Sequence, residues 1–241
     1  MSVLPEAEFV AITSGQADVY GVLQPAARDQ TAELITERVG GIPGIVSTRA
    51  DIALRSYASA ATWRLGRLTP EQEARLRAES PAVQGVAGVR LGDDELRVAR
   101  MMQQDGRASA ADIARRLELS QSTAYRITQY LLEHGIVTPR VEIEPAVLGF
   151  PLEAVISLTT ELRSITGIAT ELGRHPTARF VSTVAGTPSA IYYGAFRDEE
   201  HLANLLTGDL ASFDGIKAVH ISAVLRVLTR SWLPRDGVRL A

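Results

Sequence analysis

No cysteine occurs in the chain, which excludes disulfides and thiolate metal sites at once. The four histidines, His134, His175, His201 and His220, are scattered without ligand spacing, so neither a metal nor a catalytic imidazole is expected. Lysine is almost missing, Lys217 being the only one among 25 basic residues, and the net charge is −3. A chain without a basic excess cannot hold nucleic acid by charge alone; any such contact must be local and geometric. No apolar run approaches the roughly 18 residues of a membrane span. The opening MSVLPEAEFV has neither an apolar leader nor a basic amphipathic one, which leads us to expect a cytoplasmic protein with no membrane partner. A hydrophobic content of 46% over 241 residues is enough for two compact domains.

The most informative stretch is Leu91 to Val137, which reads as three short helices. In LELSQSTAYRITQYLLEHGIV, Ser120 is a good N-cap, so a helix opens at Gln121. Its first turn carries short polar side chains, and Ile127 and Leu131 recur on one face. The preceding segment SAADIARRLEL repeats the pattern, with Ile113 and Leu117 on one face and Ser109 capping with Asp112 at the third helical position. Two amphipathic helices joined by a tight turn are what a helix-turn-helix requires, and they present the first turn of the second helix to base edges. The candidate DNA-contacting residues are therefore Gln121, Ser122, Thr123, Tyr125 and Arg126. Ser109 and Ser120 join them at helix N-termini, which attract phosphate, with Arg115 and beside it Arg107 or Arg116. Between Leu91 and Arg140 seven arginines face seven acids, so the electrostatic footprint is weak and the bland alternative is a small structural bundle.

The chain also repeats itself. Phe9 to Gly15 (FVAITSG) overlays Phe180 to Gly186 (FVSTVAG) at an offset of 171 residues. Ala32 and Leu34 overlay Ala203 and Leu205, Gly44 overlays Gly215, and Leu54 overlays Leu225 in the same register. Constant register implies two copies of one fold. Each copy reads strand, Gly turn, strand, amphipathic helix, Gly turn, strand; in the second these are Phe180 to Val184, Ile191 to Ala195, Glu199 to Leu206 and Ala218 to Leu228. Ahead of the second copy alone lie an alternating strand, Leu152 to Thr159, and a helix, Ser164 to Arg174, completing a ferredoxin-like β-α-β-β-α-β plait. Trp63 and Trp232 come after the last strands of their copies and suit packing better than ligand stacking.

These parts, in this order, resemble the Lrp/AsnC (feast/famine) family of bacterial transcription regulators. DDELRVARMMQQDGRASAADIARRLELSQSTAYRITQYLLEHGIV is similar to the family's helix-turn-helix, EIEPAVLGF to its hinge, and the remainder of the chain to its RAM effector domain. The chain looks like a tandem-type member that is N-terminally incomplete. The fold class expected is α+β: a winged-helix-like helix-turn-helix domain plus a ferredoxin-like RAM domain, preceded by a partial second RAM unit. The expected divisions are a partial RAM unit at 1–60, a helix and linker at 61–90 (the helix starting at Thr69-Pro70-Glu71), the helix-turn-helix at 91–138, a hinge strand at 139–150 and the RAM domain at 151–241.

The resemblance implies a homo-oligomer that binds double-stranded DNA and responds to a small effector such as an amino acid, without a cofactor and without catalysis. It implies an effector contact at the turn after the second RAM strand, which usually holds Gly and, three residues on, Asp. The first copy has both, Gly15 and Asp18; the second has Gly186 followed by Thr187-Pro188-Ser189, without the acid. As ordinary turn residues, Gly15 and Asp18 equally fit a plain hairpin. Two alternatives stand beside the regulator: a haem-precursor (siroheme) decarboxylase-like enzyme of the same architecture, and a modulatory partner of a full-length regulator that itself reads no DNA.

Overall fold

Alternating apolar residues with β-branching build the strands, and they gather into one sheet. In the computed structural model the description covers the chain apart from residues 3, 26, 61–62, 64–67, 80–90, 140, 237–238 and 241. The linker expected at Pro81 to Arg90, and Arg140, lie outside the described residues. Two units divide the chain: Met1–Leu65 with Ile143–Ala241, and Gly66–Glu142. The N-terminal repeat thus shares a unit with the C-terminal plait.

In the first unit the N-terminal repeat supplies β1 (Ala7–Thr13), β2 (Val19–Leu23), the helical turn α1 (Thr31–Glu33) continuing as a π-helix Leu34–Val39, and β3 (Ile52–Ala58). The plait adds β4 (Leu152–Thr160), α6 (Ile165–Arg174), β5 (Ala178–Ala185), β6 (Ala190–Phe196), α7 (Glu199–Asn204) and β7 (Ile216–Arg230). The short β8 (Leu233–Asp236) and β9 (Arg239–Leu240) hang from the end of β7. The strand order is β2-β1-β7-β4-β6-β5-β3, so the plait sits in the middle and the N-terminal strands extend both its edges.

The repeat holds in the pairing register. Ala7↔Leu23, Phe9↔Val22 and Ile12↔Val19 on β1·β2 become, 171 residues later, Ala178↔Gly194, Phe180↔Tyr193 and Thr183↔Ala190 on β5·β6, with the register shift at the same place. The joints between copies match too: Val10↔Thr229, Ala11↔Val227, Ile12↔Arg226 and Thr13↔Val224 correspond to Val181↔Ala58, Ser182↔Ser56, Thr183↔Arg55 and Val184↔Ala53. Each copy lends its last strand to the other's first, a pseudo-twofold exchange.

One face of the sheet packs on helices. Ala154, Ile156 and Leu158 of β4 meet Ile168, Ala169 and Leu172 of α6 and Leu205 beyond α7. The absence of a side chain at Gly173 lets β3 pass beneath α6, where an added Cβ would stand 2.8 Å from the Tyr57 carbonyl oxygen. The other face closes on itself around Phe9, Ala11, Val155, Ile191 and Tyr193. Phe9 on β1 and Tyr193 on β6 are three strands apart in the sheet order, roughly 14 Å if it were flat. Their ring centroids are 5.0 Å apart, so the sheet curls strongly round this core.

The second unit holds α2 (Pro70–Glu79), α3 (Asp93–Gln104), α4 (Ala110–Leu117) and α5 (Gln121–Glu133). Val98, Met101, Ile113, Ala124, Ile127 and Leu131 form the core of the last three. Each of the larger aliphatic side chains contributes about 1.5–3 kcal/mol by leaving water.

One expectation is corrected. Among the described residues of 139–150 no hinge strand forms: residues 141–144 have no strand pairing, and Pro145–Leu148 form a 3-10 helix ended by Gly149 at φ 86°. The alternation in VEIE predicts a strand, but no edge pairs with it; Val141 stays 85% exposed and Pro145 opens a helical turn instead. Accordingly, no wing strand comes after α5 among the described residues.

Candidate nucleic-acid interface and effector turns

The α4–α5 geometry comes from caps more than from charge. Ser109 Oγ accepts the Asp112 amide at 3.1 Å while the Asp112 carboxylate accepts the Ser109 amide at 3.3 Å and its hydroxyl at 2.6 Å, a closed capping box. The hydroxyl of Ser109 and the guanidinium of Arg115 hold the Asp112 carboxyl down at about 2. Arg115 is therefore engaged on its own helix, whereas Arg107 and Arg116 are exposed. Glu118 closes α4 in the left-handed region at φ 57°, turning the chain toward Ser120. Arg97 on α3 braces the turn by donating to the Leu117 carbonyl at 2.8 Å.

At the start of α5 the Ser120 hydroxyl accepts the Thr123 amide at 3.1 Å and donates to Thr123 Oγ1 at 2.8 Å. It lies 3.0 Å from Ser122 Oγ. Thr123 is half-buried and, of the candidate reading residues, the most committed to this cap. Gln121, Ser122, Tyr125 and Arg126 are exposed, with Tyr125 at 58%, and Arg126 has no ion-pair partner among the described residues. The buried face of α5 is Ala124, Ile127 and Leu131. The helix thus fixes itself by one face and offers Gln121, Ser122, Tyr125 and Arg126 on the other.

The two Gly turns of the first unit are equivalents. Gly15, at φ 89°, sits against β7: a Cβ there would lie 2.9 Å from the Ile221 carbonyl oxygen and 3.2 Å from Ser222 Oγ. A Cβ on Gly186 would meet the Asp51 carboxylate, and Asp51 is Ser222 shifted by 171 residues. Each turn is sealed by the other copy's last strand, and this close approach accounts for both glycines. Asp18 is exposed, and its carbonyl accepts the Thr13 amide at 2.9 Å to close the hairpin. In the described geometry Gly15, Asp18 and Gly186 are turn formers.

Sequence reasoning missed a buried polar cluster within the curled sheet. Tyr193 donates its hydroxyl to Glu153, and Arg230 donates to both Glu153 oxygens at 2.8 and 3.1 Å and to Tyr193 Oη at 3.0 Å. Glu144 lies 3.4 Å from both Arg230 and Arg235. The Arg230 side chain is 4% exposed. Burial works to lower its pKa, but the adjoining Tyr193 and Glu153 outweigh that and hold it above the ordinary guanidinium value. Burial first, then the Glu153 charge, pushes Tyr193 far up. With Tyr193 pushed up and Arg230 held above its ordinary value, the hydroxyl stays neutral and the guanidinium charged at physiological pH, which suits the cluster to rigidity more than to proton transfer. The signal was faint: one Glu inside an apolar strand, with its partner 77 residues away.

Trp63 packs as expected of it, edge-on to Phe150 at 5.6 Å, under the Arg179 guanidinium at 4.8 Å, and with its indole N–H on the Pro176 carbonyl at 2.8 Å.

Comparison with known proteins places these parts. Residues 99–140 match the IclR helix-turn-helix domain and residues 153–232 the Lrp/AsnC ligand binding domain. An uncharacterized HTH-type transcriptional regulator, PH0140 of Pyrococcus horikoshii, is 25% identical over 140 residues, which is 58% of this chain and 89% of that protein. The HTH-type transcriptional regulator LrpA of the same organism is 23% identical over 132 residues, covering 54% of this chain and 94% of its own. Among solved structures, transcriptional regulator NMB0573 of Neisseria meningitidis, in complex with L-Met, superposes with a TM-score of 0.53 at 20% identity over 57% of this chain and 91% of that one. Escherichia coli AsnC does so at 0.52 and 16% identity over 57% and 94%. These two likenesses speak to the fold.

Proposed function

We propose, for a chain that belongs to the Lrp/AsnC family of regulators, that it is a sequence-specific DNA-binding transcriptional regulator whose affinity for its operator responds to a small effector. The observation that carries this reading is the first turn of α5. Its cap is complete, its apolar face is buried, and Gln121, Tyr125 and Arg126, with Ser122 beside the cap, are exposed toward base edges and phosphates. The N-termini of α4 and α5 position phosphates, with Arg107 and Arg116 alongside; Arg115 contributes only by leaving Asp112. Homo-oligomerisation sets two reading helices about one DNA turn apart, roughly 34 Å.

The effector is a small molecule, and an amino acid suits it: one similar structure holds L-Met. It acts by binding one packing of the ligand-binding domains better than another. Gly15, Asp18 and Gly186 shape the turns near which it binds. The chain works in the cytoplasm as a regulator and not as an enzyme; among the described residues no helix is long and apolar enough to cross a membrane.

The test is operator discrimination. Sites are selected from random duplex DNA with the parent chain, and Gln121→Ala with Arg126→Ala, which spares the cap, is then compared on selected and scrambled duplexes. We expect a loss of about 1–3 kcal/mol of discrimination for each bidentate contact removed. A double variant with unchanged helicity that discriminates as well as the parent would show that α5 is not the reading helix.

A further inference from the structure

The turn between α4 and α5 sets where the first turn of α5 points, and local preference does not hold it. Glu118 occupies the left-handed region at φ 57° and ψ 38°, where a residue with a Cβ is strained and persists only because its flanks are fixed. The Glu118 and Leu119 amides both reach back to the Ala114 carbonyl, and the Leu117 and Leu119 side chains pack against the buried core of α3, α4 and α5. The peptide between Leu117 and Glu118 is tied from elsewhere. Its carbonyl oxygen, of the kind a helix leaves unsatisfied at its C-terminus, accepts Arg97 Nη2 at 2.8 Å from 20 positions away.

Arg97 is itself aimed. Its Nη1 donates to the Asp94 carboxylate at 3.0 Å, one turn earlier on α3, so the guanidinium bridges two acceptors whose places the helices set. A lysine cannot do the same, because its ammonium is a single point on a flexible stem. Asp93, Asp94 and Glu95 make the first turn of α3 acidic, which does not suit a phosphate. With side chains 46% and 51% exposed, the Arg97–Asp94 pair adds little to stability. What it supplies is direction.

We propose that Arg97 is a positioning residue for operator reading: held by Asp94, it fixes the Leu117–Glu118 peptide, and with it the angle at which Gln121 and Arg126 meet base edges, without touching DNA itself. This rests on the reading of α5 as the helix that reads DNA. Contacts to base edges are directional, so a small rotation of α5 removes them, whereas contacts to the phosphate backbone are driven by charge and tolerate it. Releasing the tie therefore lowers discrimination between operator and other duplex and leaves non-specific affinity in place.

The experiment uses the full chain and the duplexes selected with the parent. Arg97→Lys, Arg97→Met and Asp94→Asn are compared for the ratio of selected to scrambled affinity, for the salt slope of binding and for helical circular dichroism. We expect each to lower the ratio about tenfold, the worth of one directional base contact, while scrambled-duplex affinity and salt slope in the two Arg97 variants match the parent. Asp94→Asn keeps the arginine and removes an acid, so charge alone would strengthen both duplexes equally; a lower ratio there has no electrostatic explanation, and this variant decides the matter if Arg97→Met fails to fold. A phosphate contact overturns the proposal and has its own signature: Arg97→Lys behaves as the parent, and Arg97→Met binds with a slope shallower by about 0.9. Selected and scrambled duplexes weakening together, in step with lost helicity, overturn it in favour of a stability role. An unchanged ratio in Arg97→Lys and Asp94→Asn overturns it while the operator reading stands. A parent that prefers no duplex overturns the reading of α5 first, and the proposal with it.

Discussion

Replacing Glu153 by alanine should cost the first unit about 3–5 kcal/mol, the cost of breaking a buried ion pair from one side. That magnitude reflects what is left behind. Arg230, 4% exposed in its side chain, would lose two hydrogen bonds and its nearer carboxylate, keeping the Tyr193 hydroxyl at 3.0 Å and Glu144 at 3.4 Å, while the Tyr193 hydroxyl would lose its acceptor. Charged hydrogen bonds contribute about 1.5–3 kcal/mol each, so the three contacts easily reach that range. Arg230 also stands opposite Phe9 in the β1·β7 joint and caps its ring at 5.5 Å, so the loss should loosen β1 as well. Urea unfolding monitored by tryptophan fluorescence reads this unit selectively, since Trp63 and Trp232 both lie in it. The companion variant Glu153→Leu with Arg230→Met removes both charges and should recover most of the stability, because apolar replacement of a buried pair is close to neutral. A single-variant loss below about 1 kcal/mol, or a double variant no better than the single, would refute the claim that the cluster is a mutually dependent buried network.

Ser120→Ala removes the cap that accepts the Thr123 amide and should destabilise the helix-turn-helix unit by about 1 kcal/mol, seen as a lower midpoint in its helical circular dichroism transition. Gly15→Ala must place a Cβ at φ 89° and 2.9 Å from a backbone oxygen, for about 2 kcal/mol of strain, whereas Gly186→Ala, without a positive φ, displaces the Asp51 side chain and should cost less, about 1 kcal/mol. Equal losses in denaturant titrations would mean that the two turns are not sealed as described. Burial lowers the His175 pKa below the ordinary 6.5 despite Asp209 at 3.2 Å, with His201 adding in the same direction. The unfolded chain therefore binds the proton more readily, and the first unit should lose stability as pH falls through 6.5 toward the folded value. His175→Gln should flatten that part of the stability curve, and an unchanged slope would assign it to another group.

Local chemistry carried much of the legibility. Ser109 with Asp112, and Ser120 ahead of Gln121, announce helix starts because a cap needs only residues three positions apart, and the structure has both helices beginning there. The repeat was readable for a related reason: FVAITSG and FVSTVAG must satisfy the same turn and the same pleat, and their pairing registers coincide. The exposed face of α5 came from periodicity, except that Thr123 turned inward to its cap, a choice between two hydroxyl partners that spacing does not settle. The alternating VEIE misled because alternation marks a segment able to be a strand, while a strand exists only where an edge accepts it.

What tertiary structure alone decided is which edges meet. The exchange of β1 onto β7 and β3 onto β5 joins residues more than 100 positions apart, and nothing in either strand's own pattern names its neighbour. The Glu153–Tyr193–Arg230 cluster arises from that meeting, since a charge within an apolar strand looks like a flaw until curvature of the sheet brings its partners to it. Sequence by itself determined the elements, their caps, their repeat and the residues α5 turns outward, because these depend on neighbours along the chain. The curl of the sheet and the sealed turns depend on neighbours across it, and only the folded backbone supplies those.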